Sequence, residues 1–306
     1  MKQYILRRLG YSLLSLVLLS LTIFLFIRLT GDPATLLTEP GASADDIQAV
    51  RHKLGLDRPI WEQYVWFVFS LLRGDLGDSF YYQTPVLELY MSRLPNSLTL
   101  AVAAMGFSLV LGIPSGILAS VRVGKFWDNA GKIFALLGLS VPSFLVGLLM
   151  ILFFSVYLQW LPSSGTGGIS HLLMPAFALG WYFAAAHMRM TRSSMLEVLG
   201  SEYVKLARLK GLPESIVIAK HAFKNALIPV LTLAGINLIQ MINVAVVVET
   251  VFAWPGIGRL LYEGVSFRDF PVVQGIVILG GAMIVVTNLL VDIVYATIDP
   301  RIRMEN

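Results

Sequence analysis

The sequence contains no cysteine. Disulfides, thiolate metal sites and cysteine nucleophiles are therefore excluded, and the redox compartment stays undetermined. Charge is also scarce. Asp, Glu, Lys and Arg make up 14% of the 306 residues, against about 25% in soluble domains. The deficit is too large for an ordinary globular core. With 56% hydrophobic residues and a mean hydropathy of +0.74, lipid must solvate much of the surface. A phosphate-binding loop is missing as well. Gly124-Lys125-Phe126 lacks both the upstream glycine and the hydroxyl of G-x-x-x-x-G-K-[ST], so the chain cannot cradle ATP phosphates that way. Neither H-E-x-x-H nor G-x-S-x-G occurs, and no catalytic residue is assigned. The four histidines (His52, His171, His187, His221) are scattered over loops and helix ends, so no metal site is expected. The net charge of +4 comes from basic residues flanking apolar runs. That pattern fits membrane topology; nucleic-acid binding would need a basic patch interleaved with aromatics.

What the sequence does have is long apolar runs. A bilayer core of about 30 Å needs about 20 mainly apolar residues per helix. Six stretches meet that requirement, approximately Leu9 to Leu29, Leu98 to Val121, Ile133 to Leu158, Leu172 to Met190, Leu227 to Val248 and Val273 to Thr297. The first is longer than a signal-peptide core. It is followed by Thr30-Gly31-Asp32-Pro33 and not by a small-residue cleavage site, so it reads as a retained helix or signal anchor. Pro114, Pro142, Pro175 and Pro229 predict kinks within the spans. Gly112 and Gly116 form a small-xxx-small pair suited to close helix packing.

With the N-terminus placed inside, 15 of the 23 basic residues fall on cytoplasmic segments. This bias predicts cytoplasmic N- and C-termini. The first connection, within 30–97, is external and carries nine acidic residues against five basic ones. Its length predicts a small fold of its own on the outer membrane surface. The second long connection, 191–226, is cytoplasmic and basic. It reads as a helix from Leu196 to Lys210, a break at Gly211-Leu212-Pro213, and a second helix from Glu214 to Asn225. Pro213 and Glu214 suit a helix start. From spacing alone this loop either docks a partner or lies as a basic amphipathic surface on anionic lipid.

The run Ser201-Glu202-Tyr203-Val204-Lys205-Leu206-Ala207-Arg208-Leu209-Lys210-Gly211-Leu212, leading to Lys220-His221-Ala222-Phe223-Lys224-Asn225, resembles the EAA loop of ABC-importer permeases. It departs from the general consensus, with Lys205 where a Glu is usual and with His221 and Lys224 in place of Ile and Pro. The variant resembles the dipeptide/oligopeptide/nickel branch. So do Tyr4-Ile5-Leu6-Arg7-Arg8, Gly31-Asp32-Pro33, Leu54-Gly55-Leu56-Asp57-Arg58-Pro59, Gly74-Asp75-Leu76-Gly77, Arg93-Leu94-Pro95-Asn96, Ser140-Val141-Pro142-Ser143-Phe144, Trp160-Leu161-Pro162, Val248-Glu249-Thr250, Trp254-Pro255-Gly256-Ile257-Gly258, Arg268-Asp269-Phe270-Pro271 and Asp299-Pro300-Arg301. These blocks occur in order and cover nearly the whole chain. The long acidic first loop resembles that of the B-type subunit.

The resemblance implies an all-α polytopic protein of the bacterial cytoplasmic membrane. An N-terminal helix (1–29) and an external region (30–97) would precede a five-helix type I importer core (98–298), with a cytoplasmic tail at 299–306. It implies an ATP-driven importer of peptides or similar small solutes, working by alternating access. A C-type permease would complete a heterodimer, two ATPase subunits (same or different) would hold ATP and magnesium, and an extracytoplasmic solute-binding protein would deliver the cargo. This chain would bind no cofactor itself. The coupling residues would be Glu202, Tyr203, Ala207, Arg208, Lys210, Gly211, Glu214, His221 and Asn225. An ion-coupled secondary transporter is the alternative, and it would need ionisable residues near mid-membrane.

Polar residues inside spans face protein or water. Asn237, Gln240 and Asn243, at i, i+3 and i+6, read as one polar stripe. It serves either as pathway lining for peptide-like solutes or as interhelical hydrogen bonding. Glu249, at the outer end of the fifth span, is a candidate for an external gate. Asp292 in the last span is expected to have a structural partner.

Overall fold

In lipid the backbone has no water to bond, so apolar runs must satisfy their own amides as helices. The computed structural model shows this throughout. It describes the backbone of residues 2–30, 34, 38, 43–53 and 55–298, with side chains except at 2–6, 30, 53 and 290–298. Gly31-Asp32-Pro33, Leu54, the Asp292 side chain and the 299–306 tail with Asp299-Pro300-Arg301 lie outside the described residues. Among those described, the extended pairing is one antiparallel bridge between Asp78 and Pro85.

The helices in chain order are α1 (Lys2–Thr30), α2 (Ala44–Lys53), α3 (Ile60–Leu72), α4 (Val86–Val121), α5 (Phe126–Ser140) and α6 (Ser143–Tyr157). They continue with α7 (Ile169–Leu199), α8 (Glu202–Leu209), α9 (Glu214–Val251), α10 (Ile257–Ser266) and α11 (Phe270–Ile298). The chain divides into two compact units, Met1–Leu94 with Leu260–Asn306, and Pro95–Arg259.

In the first unit α1 packs along α11, and Leu19 fills the space above Gly281. The turn before α11 is held by buried Asp269. Its carboxylate accepts the Ser79 hydroxyl and the amides of Phe80 and Tyr81, both at 3.1 Å. Tyr81 stacks on Phe267 at 4.1 Å. Tyr82 donates to Glu263 at 2.7 Å. Burial, reinforced by that carboxylate, pushes the Tyr82 hydroxyl up to about 12.

In the second unit α7 is central, with α9, α5 and α6 against it. Its core includes Leu100, Met105, Met174, Leu179, Phe183, Met241 and Phe252. Gly112 and Gly116 both abut α7. A Cβ built at Gly112 would lie 2.7 Å from the Ala184 carbonyl, and one at Gly116 would lie 2.6 Å from Thr191 Cβ. The small-xxx-small pair therefore seats a helix contact.

Three boundaries differ from the sequence expectation. The second span begins at Val86, because Pro95 is absorbed inside α4. The third span is not straight. α5 and α6 are bent by 100°, with Val141 extended at ψ 118° ahead of Pro142. A residue before proline is pushed out of the α region, and proline lacks the amide to bridge the break. Among the described residues, five helices are long and apolar enough to cross a membrane, and six if the bent pair is one span. Finally, the expected helix from Leu196 to Lys210 is interrupted at Gly200, while the expected separate helix from Glu214 to Asn225 merges into α9. A π-helical stretch at Val217–Phe223 carries the chain straight into Lys224.

Candidate functional site

The loop between α7 and α9 holds one short helix, α8. α8 turns Val204 and Ala207 inward onto Val217, Val198, Leu199 and Leu212. Its opposite side presents Leu206 and Leu209, 52% and 83% exposed. Gly211 ends the turn at φ +78°, with its amide on the Arg208 carbonyl at 2.9 Å. Arg208 then grips Glu214 through two bonds, 3.1 Å from Nε and 2.7 Å from a terminal nitrogen. Hydrogen bonding to that carboxylate raises the Arg208 pKa further above its usual value. Tyr203 Oη accepts from Asn225 Nδ2 at 2.9 Å, and the same amide reaches the His221 carbonyl at 3.0 Å. Glu202 pairs with Lys205 at 2.8 Å on the exposed surface.

Seven of the nine predicted coupling residues are thus organised by this corner. Arg208–Glu214 and Tyr203–His221–Asn225 clamp it, Ala207 anchors it and Gly211 turns it. Glu202 and Lys210 lie at the ends of α8. Leu206 and Leu209 lie outside the predicted set, and their exposure depends on which face of α8 is covered. An alanine at Gly211 would carry its side chain in the left-handed region at about 1–2 kcal/mol. Gly211→Ala is expected to raise local opening of this corner about five- to thirtyfold, read as faster protease nicking near 209–213.

A groove runs along α5, α6, α7 and α9 on the second unit. One part, about 790 Å³, is lined by Lys132, Leu139, Tyr182, Arg189, Arg192 and Leu233. A second, about 380 Å³, adds Ser140, Ser143, Gln240 and Val244 and shares Leu139 and Tyr182 with the first. Hydroxyls and an amide therefore precede a cationic end. Of the predicted stripe, Gln240 faces this groove. Asn243 is exposed and bonds its own helix at the Ile239 carbonyl, 3.0 Å away. Asn237 is buried, with its Nδ2 3.3 Å from His187 Nε2, while Ser108 Oγ meets His187 Nδ1 at 3.2 Å. At about 100° per residue, positions six apart are 120° apart around a helix, so one face cannot hold all three. His187, which looked scattered in sequence, ties together α4, α7 and α9.

Glu249 is fully buried. Its carboxylate accepts the Ser97 hydroxyl at 2.6 Å and the Arg259 amide at 3.0 Å, while Ser97 Oγ accepts the Ile257 amide at 2.8 Å. The pair caps the first turn of α10, where helix amides are otherwise unpaired. This geometry is that of an enclosed cap; an exposed external gate would need the carboxylate open to water.

The chain is similar to several known proteins. Residues 112–304 match the family model described as "Binding-protein-dependent transport system inner membrane component", and residues 1–101 match its N-terminal companion. The glutathione transport system permease protein GsiC of Escherichia coli O6:H1 is 39% identical over 304 residues, 99% of each chain. The dipeptide transport system permease protein DppB of Escherichia coli K12 is 38% identical, again over 99% of each chain. Among solved structures, the inward-facing MetNI methionine ABC transporter aligns with a TM-score of 0.57 at 20% identity, covering 70% of this chain and 97% of that one. An amino acid ABC transporter aligns at 0.55 and 15% identity, covering 69% and 94%.

Proposed function

The chain belongs to the family of binding-protein-dependent transport system inner membrane components, and we propose that it carries peptide-like solutes, dipeptides or glutathione among them, by alternating access. It is a multi-pass permease of the ABC-importer type, with helices matched to that fold. In the proposed assembly it pairs with a related C-type permease, and two separate ATPase subunits hold ATP and magnesium. A solute-binding protein delivers cargo from outside, and both termini face the cytoplasm. The cargo assignment draws on the names of the full-length relatives. The groove suits it chemically: Ser140, Ser143, Tyr182 and Gln240 can bond peptide groups, and Arg189 can meet a carboxylate.

The observation that carries the coupling role is α8. It is pinned on one face by Val204 and Ala207 and offers Leu206 and Leu209 outward, beside the Arg208–Glu214 clamp. Burying a leucine in a partner cleft stabilises docking by about 1.5–3 kcal/mol. A push on α8 passes into α9 through the Arg208–Glu214 pair, which joins the two helices. Leu206→Asp with Leu209→Asp is expected to cut both co-purification of the ATPase and ATP-driven uptake by more than tenfold, with membrane insertion unchanged. Wild-type ATPase recovery in that variant would overturn the docking assignment. Uptake that survives ATP depletion but collapses with an uncoupler would instead favour ion coupling.

A further inference from the structure

We propose that α3 lies in the plane of the membrane, sunk into the leaflet at the C-terminal end of α1, with one face in contact with lipid. At 13 residues it is too short to span a bilayer, and none of its residues is buried within the protein. Trp61, Val65, Phe69 and Leu72, spaced i, i+4, i+8 and i+11, share one side of the helix. Trp61 is 67% exposed, Phe69 57% and Leu72 79%. The charges sit at the ends, with Arg58 just before the helix and Arg73 at its C-cap, and Glu62 is the one charged residue within it.

The opposite face fixes the depth. Tyr64 Oη lies 2.9 Å from Ser20 Oγ, Phe67 stacks on Phe24 at 5.6 Å, and Arg28 donates twice to Gln63 Oε1 at 2.9 and 2.8 Å. These three partners step along the C-terminal half of α1, whose apolar span runs from Arg7 to Leu29. Phe24 is five residues short of Leu29, or about 7.5 Å at the helical rise. Helices lying in a membrane interface sit about 5–10 Å into the boundary. A helix held at that depth by polar bonds to a spanning helix has its outer face at the level of acyl chains. Water could not reach that face, and an extracytoplasmic protein would have to enter the bilayer to cover it. The consequence is mechanical: α3 anchors the outer end of α1 sideways in the leaflet. The inference needs α1 to cross the membrane and does not depend on which solute is carried.

The absence of cysteine makes the test direct. Val65→Cys, Phe69→Cys and Leu72→Cys, each carrying a nitroxide, are compared in lipid vesicles with Ala49→Cys on exposed α2. Accessibility to oxygen, which concentrates in lipid, is measured against accessibility to a water-soluble nickel chelate. The oxygen-to-nickel ratio is expected to be at least fivefold higher at the three α3 sites than at Ala49. Ratios equal to that at Ala49 would place α3 in water and overturn the proposal. Exclusion of both reagents would mean a protein cover and overturn it as well. As a label-free check, lipids brominated near the headgroup should quench tryptophan emission, and Trp61→Phe with Trp66→Phe should remove much of that quenching. Quenching unchanged in the double variant would count against lipid contact.

Discussion

Glu249→Ala is expected to destabilise the second unit by about 3 kcal/mol or more. The carboxylate is enclosed and accepts the Ser97 hydroxyl and the Arg259 amide. Each buried donor left without an acceptor costs about 1–3 kcal/mol. Loss of the cap also frees the first turn of α10, because Ser97 Oγ is the acceptor for the Ile257 amide. The packing allows no compensation by a bulkier turn. A Cβ at Gly258 would lie 2.5 Å from the Val246 Cα, a backbone atom that cannot swing aside. Gly258→Ala should therefore also destabilise the unit, by about 1–3 kcal/mol from overpacking alone. Glu249→Gln keeps the shape and one acceptor, and should fall between wild type and alanine. Thermal unfolding in detergent, followed by loss of the monodisperse peak, reads all three. A wild-type melting curve for Glu249→Ala would show that the cap contributes nothing.

Asp128→Ala is expected to be comparably damaging, through a different mechanism. Asp128 is buried near the start of α5. It accepts Arg192 Nε at 2.7 Å, Lys132 Nζ at 2.9 Å and the Gly124 amide at 2.9 Å. Removing one partner of a buried ion pair leaves the other charge uncompensated, which costs more than the pair itself contributes. Here Arg192, 24% exposed, loses its anion while the 55% exposed Lys132 stays solvated, and α5 loses its tie to α7 through Arg192. Recovery of folded protein after extraction is expected to fall by more than half. Arg192→Ala should be milder, because Lys132 and the Gly124 amide still serve the carboxylate. The double variant should be no worse than Asp128→Ala. Additive losses would mean that the two residues act separately.

Much of the architecture was legible beforehand. Apolar runs of sufficient length must become helices in lipid, so five of the six predicted spans appear close to where they were expected. The corner at Gly211 was equally readable, since only a residue tolerant of positive φ suits that turn. The misreadings are local. Pro142 by itself predicts a kink within one span, yet Val141 goes extended and the chain turns by 100°. A proline's effect depends on whether neighbouring helices supply support for a straight course, and one-dimensional pattern does not carry that. Glu214 to Asn225 was expected to stand alone, but the π-helical stretch lets it run on into α9.

The side chains that form the site divide in the same way. Helix order, the membrane setting and the turn at Gly211 follow from composition, periodicity and short-range turn chemistry, all properties of neighbours along the chain. Which polar groups are enclosed follows from contacts between helices distant in sequence. Asn237 is buried because His187 of α7 meets it, while Gln240, three residues on, opens into the groove. Glu249 is a cap because the turn at 256–258 folds back over it, and Leu206 and Leu209 are exposed because Val217 covers the other side of α8. Periodicity gives each helix its faces, and only packing decides which face meets protein, lipid or a partner.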